Sequence, residues 1–225
     1  MLPSGQISRD DFPRFGLPQY AFKFPSNVSD TSIKININGG DRVAFDISSS
    51  ELPRCILKSD FHCVTTWSYI GAEWGGVKFL NVFEKFVASI GDERVDIAGA
   101  VLCAQDGYKT SLVLEDLLRE DVLLADTLHG QPLPIEHGAP LRLIAPAHYG
   151  YKNIKHLSHI DFHSTMPITK RGVSAFLDHP RARVSKEERS RWIPGWILRY
   201  IYRLFIPGTV RNFKQVMQKY RADKR

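Results

Sequence analysis

The chain contains three cysteines, and one of them, Cys63, lies in a stretch whose residue types could bind a metal. This stretch reads Asp60-Phe61-His62-Cys63-Val64-Thr65-Thr66-Trp67. A cysteine thiolate is a soft ligand of the kind that selects soft or redox-active metals. A free cysteine taken alone is more often a small buried hydrophobic residue. Cys63 is therefore a candidate ligand only if other motifs in the sequence point to the same kind of site.

Two further stretches are motifs of this kind. Asp106-Gly107-Tyr108 has the composition of a turn that closes a strand. The longer stretch from His137 to Lys155 contains Arg142, whose guanidinium offers a fork of donors to a phosphate, and Lys155, which offers a point charge. Gly150 would allow backbone N–H groups to come close to a ligand. Taken alone, such a basic strand end is usually solvated surface.

Together, and in this order, the three stretches resemble the molybdopterin-binding domain of the sulfite oxidase family. The resemblance covers about residues 10–165 and is nearest to small bacterial members, which include the catalytic subunit of a methionine-sulfoxide reductase. It implies an α+β fold with mixed sheets and a molybdenum-molybdopterin cofactor (Moco). By the resemblance, two sulfurs of the pterin dithiolene and the Cys63 thiolate bind the molybdenum.

The resemblance also implies roles for individual residues. Tyr108 would donate a hydrogen bond to the substrate, although a core aromatic with a solvated tip is an equally good interpretation. His62 adjoins the ligand, but neighbours in a strand point to opposite faces, so we expect a structural histidine. The reductases have Asn where His137 stands, and a Thr near the position of Cys103. The implied cofactor contacts are Arg14, Phe15, Cys63, Cys103, His137, Arg142, Asn153, Ile154 and Lys155.

The implied activity is two-electron oxygen-atom transfer on a small-molecule substrate, with electrons exchanged with a separate partner such as a membrane or haem protein. Sulfite enzymes of the family place arginines around the substrate anion. No arginine adjoins Cys63 in the sequence, so sulfite is disfavoured, and the substrate and direction stay open. Two alternatives are a non-catalytic cofactor-binding subunit and a peripheral membrane or partner-docking protein that acts through its basic tail.

Composition restricts the setting of this chemistry. An odd number of cysteines fits a reducing compartment, and the absence of a CxxC pair removes support for a zinc ribbon or a thioredoxin-like site. The N-terminal residues lack a basic region, an apolar region and a twin-arginine pair. We therefore expect a cytoplasmic protein, or a periplasmic one if a leader has been removed.

The net charge of +6 is concentrated in the tail. From Lys170 onwards the chain has 15 basic and 4 acidic residues, or +11, and the remainder carries −5. Because the body shows no matching basic face, we do not expect nucleic acid as a partner. We expect two parts: an oxidoreductase domain with an N-terminal arm at 1–165, and a basic, aromatic extension at 166–225. The stretch 192–225 could dock on an anionic membrane surface or on a partner, and a helix folded back on its own domain is slightly preferred.

The elements that must position these residues follow from periodicity. Alternating polarity predicts strands at 32–38, 42–47, 54–58 and 154–162, and apolar runs predict strands at 95–104 and 141–145. Phe79, Val82, Phe83 and Phe86 are spaced for a helix over 77–87, and shorter helices are predicted at 48–52 and 114–119. A turn is predicted at 131–134. The His156, His159 and His163 series would share a helix face, but the period-2 pattern favours a strand that scatters them.

Overall fold

The structure is a computed structural model that describes residues 2–40, 42–87, 96–167 and 178–224. Its strands form two sheets with mostly antiparallel pairing, so the prediction of a mixed α+β fold is confirmed. The first sheet contains β1 (Ile7–Arg9), β4 (Arg54–His62), β5 (Trp67–Lys78), β8 (Leu123–Leu128), β9 (Gln131–Pro132) and β10 (Arg142–Ile144). The second sheet has the order β3 (Arg42–Asp46), β2 (Ser32–Ile37), β11 (Leu157–His163), β6 (Gly99–Ala104) and β7 (Lys109–Val113).

The main hydrophobic core draws on both sheets and on the helix α1 (Phe79–Phe86). Ile33 and Ile160 enter it from the second sheet, whereas Leu124 and Leu143 enter it from the first. Burying one face of each sheet in a shared layer is what alternating strand patterns are expected to produce. The short helix α2 (Leu114–Leu117) follows β7 directly.

The longest strand pair in the molecule carries the cysteine. β4 runs antiparallel to β5, and the turn between them contains Cys63. The predicted strand at 54–58 is therefore confirmed and continues to His62, but β5 was not predicted from the sequence. Three glycines interrupt its pattern, and two of them, Gly75 and Gly76, lie where a Cβ would collide with β8. Close approach of a neighbouring strand is a common reason for glycine inside a strand.

Two local predictions were wrong, and a third, the strand at 154–162, is confirmed with a later start. The stretch 48–52 is not a helix, because Asp46 caps a turn through its bonds to the backbone and hydroxyl of Ser48. The turn predicted at 131–134 lies instead at 129–130, and Gln131–Pro132 pairs with β8. The strand predicted from Ile154 begins at Leu157, because His156 has a φ of +55° that interrupts the extended chain.

The other element predictions are confirmed with shifted ends, for β2, β3, β6, β10, α1 and α2. Val95, where the prediction for β6 began, lies outside the described residues. His159 and His163 lie in β11, as the period-2 pattern indicates.

The C-terminal part of the chain ends in a long helix, α3 (Gly195–Asp223). Its buried residues Phe213 and Val216 pack on Ala21 of the N-terminal arm, with Phe24 at the edge. The preferred prediction, a helix folded back on its own domain, is confirmed for this half. Among the described residues, no helix is both long and apolar enough to cross a bilayer.

Candidate functional site

Five segments surround an open cavity of about 180 Å³. They are the N-terminal arm, the turn after β4, the turn between β6 and β7, the loop before β11, and one side chain of α3. Seven of the predicted site residues line it: Arg14, Phe15, Cys63, Tyr108, Asn153, Ile154 and Lys155. The three stretches identified in the sequence therefore meet at one place.

The turn that carries Cys63 is fixed by its own backbone. The Cys63 N–H donates to the Trp67 carbonyl at 2.8 Å, and the Thr66 N–H donates to the Cys63 carbonyl at 3.1 Å. Thr66 adopts a φ of +81°, which is rare for a β-branched residue and indicates a conformation held by its surroundings. The turn thus presents the Cys63 side chain in one position at the cavity wall.

The electrostatic surroundings of the Cys63 thiol are mixed. Its sulfur lies 3.1 Å from the Thr65 hydroxyl oxygen. Burial raises the pKa of the thiol, while the Thr65 hydrogen bonds and the positive charges of Arg189 and Lys155 act to lower it. A metal ligand must lose its proton, and a bound cation would oppose the effect of burial far more strongly than these side chains do.

His62 lies behind this turn and does not line the cavity. Its Nδ1 lies 2.7 Å from the Ser68 hydroxyl oxygen, which donates in turn to the Gln6 side-chain carbonyl at 3.0 Å. The Gln6 amide then donates to the Cys63 carbonyl at 3.1 Å. His62 therefore lies away from the cavity, as expected, and this chain of bonds ties β4 and Gln6, the residue before β1, to the cysteine turn.

Arg142 and Asn153 support the cavity wall from within. The Arg142 guanidinium is fully buried and donates to the carbonyls of His137 at 2.7 Å and Asn153 at 3.2 Å, and it lies 4.8 Å from the centre of the Trp74 ring. The Asn153 side chain accepts from the Ala145 N–H at 2.7 Å and donates to nearby carbonyls. Arg142 does not reach the cavity surface, so the geometry gives no support to its predicted contact with a phosphate.

Lys155 and His156 face the cavity from this loop. The Lys155 ammonium donates to the Glu136 carbonyl at 2.7 Å, and burial, with help from Arg142 and Arg14, lowers the Lys155 pKa to about 7. His156 Nδ1 lies 2.6 Å from the Ala139 carbonyl oxygen. A carbonyl can only accept, so Nδ1 carries the proton and Nε2 keeps a lone pair in the neutral ring. In the sequence, His156 stood out only as one of three spaced histidines.

The arm contributes Arg14 and Phe15. Arg14 donates to the carbonyls of Ala21 at 2.8 Å and Lys23 at 2.9 Å. These bonds hold the arm in a turn around the guanidinium. The Phe15 ring meets Trp67 edge-on, with ring centres 5.6 Å apart. Both side chains line the cavity as predicted, but the donors of Arg14 are largely used by the arm.

Three other predicted site residues have different surroundings. Tyr108 lines the cavity, and its hydroxyl donates to the Tyr151 carbonyl at 2.8 Å. His137 packs on the Phe12 ring at 4.3 Å and does not line the cavity. Cys103 lies in β6, where its sulfur is 3.9 Å from a carboxylate oxygen of Asp161, and it does not line the cavity either. The geometry therefore gives no support to cofactor contacts by His137 or Cys103.

Contributions from the C-terminal extension were not predicted from the sequence. Phe213 of α3 lines the cavity beside Phe15. Arg189 is fully buried and donates to the carbonyl of Val64, the residue after the cysteine. The statement that no arginine adjoins Cys63 holds for the sequence but is wrong for the folded chain. No local signal reveals this contact, because 125 residues separate Arg189 from Val64.

The buried histidines predict an acid-sensitive loop. Burial lowers the pKa of His156 to about 4 and that of His137 to about 3. The unfolded chain therefore takes up these protons first, and stability should fall as the pH drops from about 6.5 towards 4. Urea unfolding of the cofactor-free protein at several pH values measures how steeply the free energy of unfolding depends on pH. His156→Gln should reduce this slope by up to about 1.4 kcal/mol per pH unit. An unchanged slope in His156→Gln and in the double variant with His137→Gln would contradict this assignment.

Comparison with known proteins agrees with this geometry. The family described as "Oxidoreductase molybdopterin binding domain" matches residues 22–169. The chain belongs to this family. Its fold and motifs are those of the sulfite oxidase type, and its cofactor is molybdenum-molybdopterin. The matched region ends before Arg189 and Phe213, so the extension adds to the cavity from outside the family domain.

The molybdopterin-binding domain is similar in sequence to several bacterial proteins. It is 42% identical over 110 residues to the uncharacterized oxidoreductase YuiH of Bacillus subtilis, covering 49% of this chain and 53% of YuiH. It is 30% identical over 181 residues to the protein-methionine-sulfoxide reductase catalytic subunit MsrP of Xanthomonas axonopodis pv. citri, covering 69% of this chain and 56% of MsrP. The chain spans about half the length of the curated relatives it matches.

A solved structure supports the fold. The sulfane dehydrogenase SoxCD from Paracoccus pantotrophus superposes with a TM-score of 0.55 at 21% sequence identity. The match covers 70% of this chain and 45% of the SoxCD chain. At this identity the likeness concerns the fold alone.

Proposed function

We propose that this protein is a molybdenum oxidoreductase that reduces a sulfoxide, with Cys63 as the protein ligand of the metal. The observation that carries the proposal is the position of Cys63, whose thiol opens onto the same cavity as Lys155 in a chain of the molybdopterin-binding family. A buried structural cysteine would have no reason to face a cavity that also contains a cation.

The donor set of the cavity fits the cofactor. The Cys63 sulfur is a soft ligand suited to molybdenum, and the Lys155 ammonium suits the phosphate of the pterin. The Nε2 lone pair of His156 can accept a hydrogen bond from a pterin N–H. The backbone from Asn153 to Lys155 would lie along the pterin, and the rings of Phe15 and Trp67 would border it.

The proposed reaction is R₂S=O + 2 e⁻ + 2 H⁺ → R₂S + H₂O. The S=O bond breaks, the sulfur is reduced, and the oxygen leaves as water. The bound molybdenum supplies the oxygen-atom and two-electron chemistry. The electrons come from a separate electron-transfer protein, and the name of the matched relative, a catalytic subunit, is consistent with such a partner.

The chain's own residues would prepare the site for this reaction. The Thr65 hydroxyl bonds to the Cys63 sulfur and restricts its rotation. The aromatic side chains of the arm and of β5 exclude water from one side of the cavity. The Lys155 ammonium, held by the Glu136 carbonyl at 2.7 Å, would stay in position for the phosphate.

A neutral sulfoxide suits the cavity better than sulfite does. Aromatic rings form much of its lining: Phe12, Phe15, Phe61, Trp67 and Phe213. Arg189, which approaches the cysteine turn, donates to the carbonyls of Val64 and Ser4 and pairs with Glu187. An oxyanion would need free donors that this arginine does not offer, and the resemblance to MsrP favours a sulfoxide.

The proposal is tested by metal analysis and an activity screen. We expect purified protein from a host that makes the cofactor to contain close to one molybdenum per chain. We also expect a reduced dye to be oxidised with methionine sulfoxide and not with sulfate as acceptor, and sulfite to be a poor electron donor. Molybdenum without turnover of any of these compounds would favour a non-catalytic cofactor-binding subunit. Protein without molybdenum would overturn the proposal.

A further inference from the structure

The first half of α3 leaves large apolar side chains uncovered. Their exposed fractions range from 37% at Ile197 to 81% at Leu204. With Trp192 just before the helix, the patch comprises Trp192, Trp196, Ile197, Tyr200, Ile201, Leu204 and Phe205. We call these seven residues the aromatic patch. Single exposed apolar residues are ordinary on a protein surface, but a contiguous set marks an interaction site.

Helical spacing shows that the patch is not the packed side of α3. Side chains four residues apart lie on one face, so Trp196, Tyr200 and Leu204 form one row, and Ile197, Ile201 and Phe205 form the row beside it. The side chains that α3 buries are turned away from the Trp196 row: Leu198, Phe213, Val216 and Met217. The helix therefore has one apolar stripe on the domain and a second one facing outwards.

The second half of the same helix provides an internal comparison. Beyond Pro207 the outward face continues with polar or small residues: Gly208, Arg211, Asn212, Gln215, Gln218, Lys219 and Ala222. A helix packed on a domain and bathed in water normally has such a polar outer face. Since one half follows this rule and the other does not, the patch is a local feature of residues 192–205.

The charges within the segment that carries the patch are of one sign. Between Glu188 and Asp223 the sequence contains eight basic residues and no acidic one. Arg191, Arg203, Arg211 and Lys214 are exposed beside or beyond the apolar rows, whereas Arg199 pairs with Glu187. The occupant of this surface should therefore be apolar in its interior and negatively charged at its boundary.

We propose that the aromatic patch docks this protein on the surface of a bilayer that contains anionic lipids. Trp and Tyr favour the headgroup region, Leu, Ile and Phe favour the acyl boundary, and arginines favour anionic headgroups. The proposed contact uses side chains on one face of α3 and the Trp192 side chain before it. A second copy of the chain fits less well, because a two-fold contact would bring arginines against arginines.

Docking in this way would place the cavity next to the lipid. On its inner side α3 carries Phe213, which lines the cavity, and Arg203 lies 3.4 Å from the hydroxyl oxygen of Thr66 in the cysteine turn. The thickness of one helix, about 10–12 Å, separates the two faces. An electron carrier held in the membrane would then approach the cavity closely.

Vesicle binding of the full chain tests the proposal. We expect it to float with vesicles of equal parts phosphatidylcholine and phosphatidylglycerol, and far less with phosphatidylcholine alone. Leu204→Ser/Phe205→Ser should lower the partition coefficient at least about 10-fold, because each change removes a large apolar group from the lipid contact. The matched control, Ile56→Ser/Phe22→Ser, removes two equally exposed side chains elsewhere and should bind like the wild type.

Tryptophan fluorescence gives an independent readout. Trp67 and Trp74 are buried, while Trp192 and Trp196 are more than half exposed. Addition of the mixed vesicles should shift the emission to shorter wavelength, and Trp192→Ser/Trp196→Ser should abolish the shift. Wild-type protein that stays unbound, or equal binding by the Leu204/Phe205 variant, would overturn the proposal. So would a concentration-dependent dimer that the same variant abolishes without any lipid binding.

Discussion

Cys63→Ser is expected to lower sulfoxide turnover by more than about 100-fold, since loss of a residue that merely supports a metal ligand already costs roughly 10–100-fold. Serine keeps the shape of the side chain but replaces a soft sulfur with a hard hydroxyl that holds its proton at neutral pH. The turn itself should persist, because it is fixed by the backbone bonds from Cys63 to Trp67 and from Thr66 to Cys63.

The metal provides a readout that does not depend on turnover. X-ray absorption at the molybdenum edge should show one sulfur ligand fewer in Cys63→Ser than in the wild type. The matched controls are Cys55→Ser and Cys103→Ser, which replace half-buried thiols that do not line the cavity. Both should keep the sulfur count and most of the activity. Equal sulfur counts in wild type and Cys63→Ser would contradict ligation by this residue.

The contrast between Cys63 and Arg142 shows what the sequence could predict about the site. The family resemblance of the three stretches implied that Cys63, Tyr108 and Lys155 share one site, and all three line the cavity. The same motifs did not separate a lysine that faces the cavity from an arginine that supports its wall. That distinction depends on which carbonyls the donors reach, and the His137 and Asn153 carbonyls become neighbours only after folding.

The fold shows a similar limit. Alternating polarity was sufficient for β2 and β3, but β5 was missed because its glycines resemble loop residues. Their cause lies on another strand, where the backbone of β8 approaches Gly76 too closely for a side chain. His156 likewise looked like the continuation of β11, but its φ of +55° interrupts the extended chain, so the strand starts at Leu157.

Arg189 supports the cysteine turn from 125 residues further along the chain, and its removal should have a large effect on stability. The side chain is fully buried, donates to the carbonyls of Val64 and Ser4, and pairs with Glu187 at 3.1 Å. Removing one partner of a buried ion pair leaves polar groups unsatisfied and costs about 3–5 kcal/mol. Arg189→Met should therefore lower the free energy of unfolding by about 3 kcal/mol and the melting temperature by roughly 10 °C.

The neighbouring Arg191 supplies the control. It is exposed, so Arg191→Met should change the free energy of unfolding by less than about 0.5 kcal/mol. A local effect on the site can be separated from global destabilisation by alkylating the cofactor-free protein well below its melting temperature and quantifying the Cys63 peptide by mass spectrometry. Because Arg189 holds the carbonyl next to Cys63, its loss should speed modification of Cys63 while Cys55 reacts at the wild-type rate. If both cysteines react faster by the same factor, Arg189 stabilises the whole domain and does not specifically hold the turn.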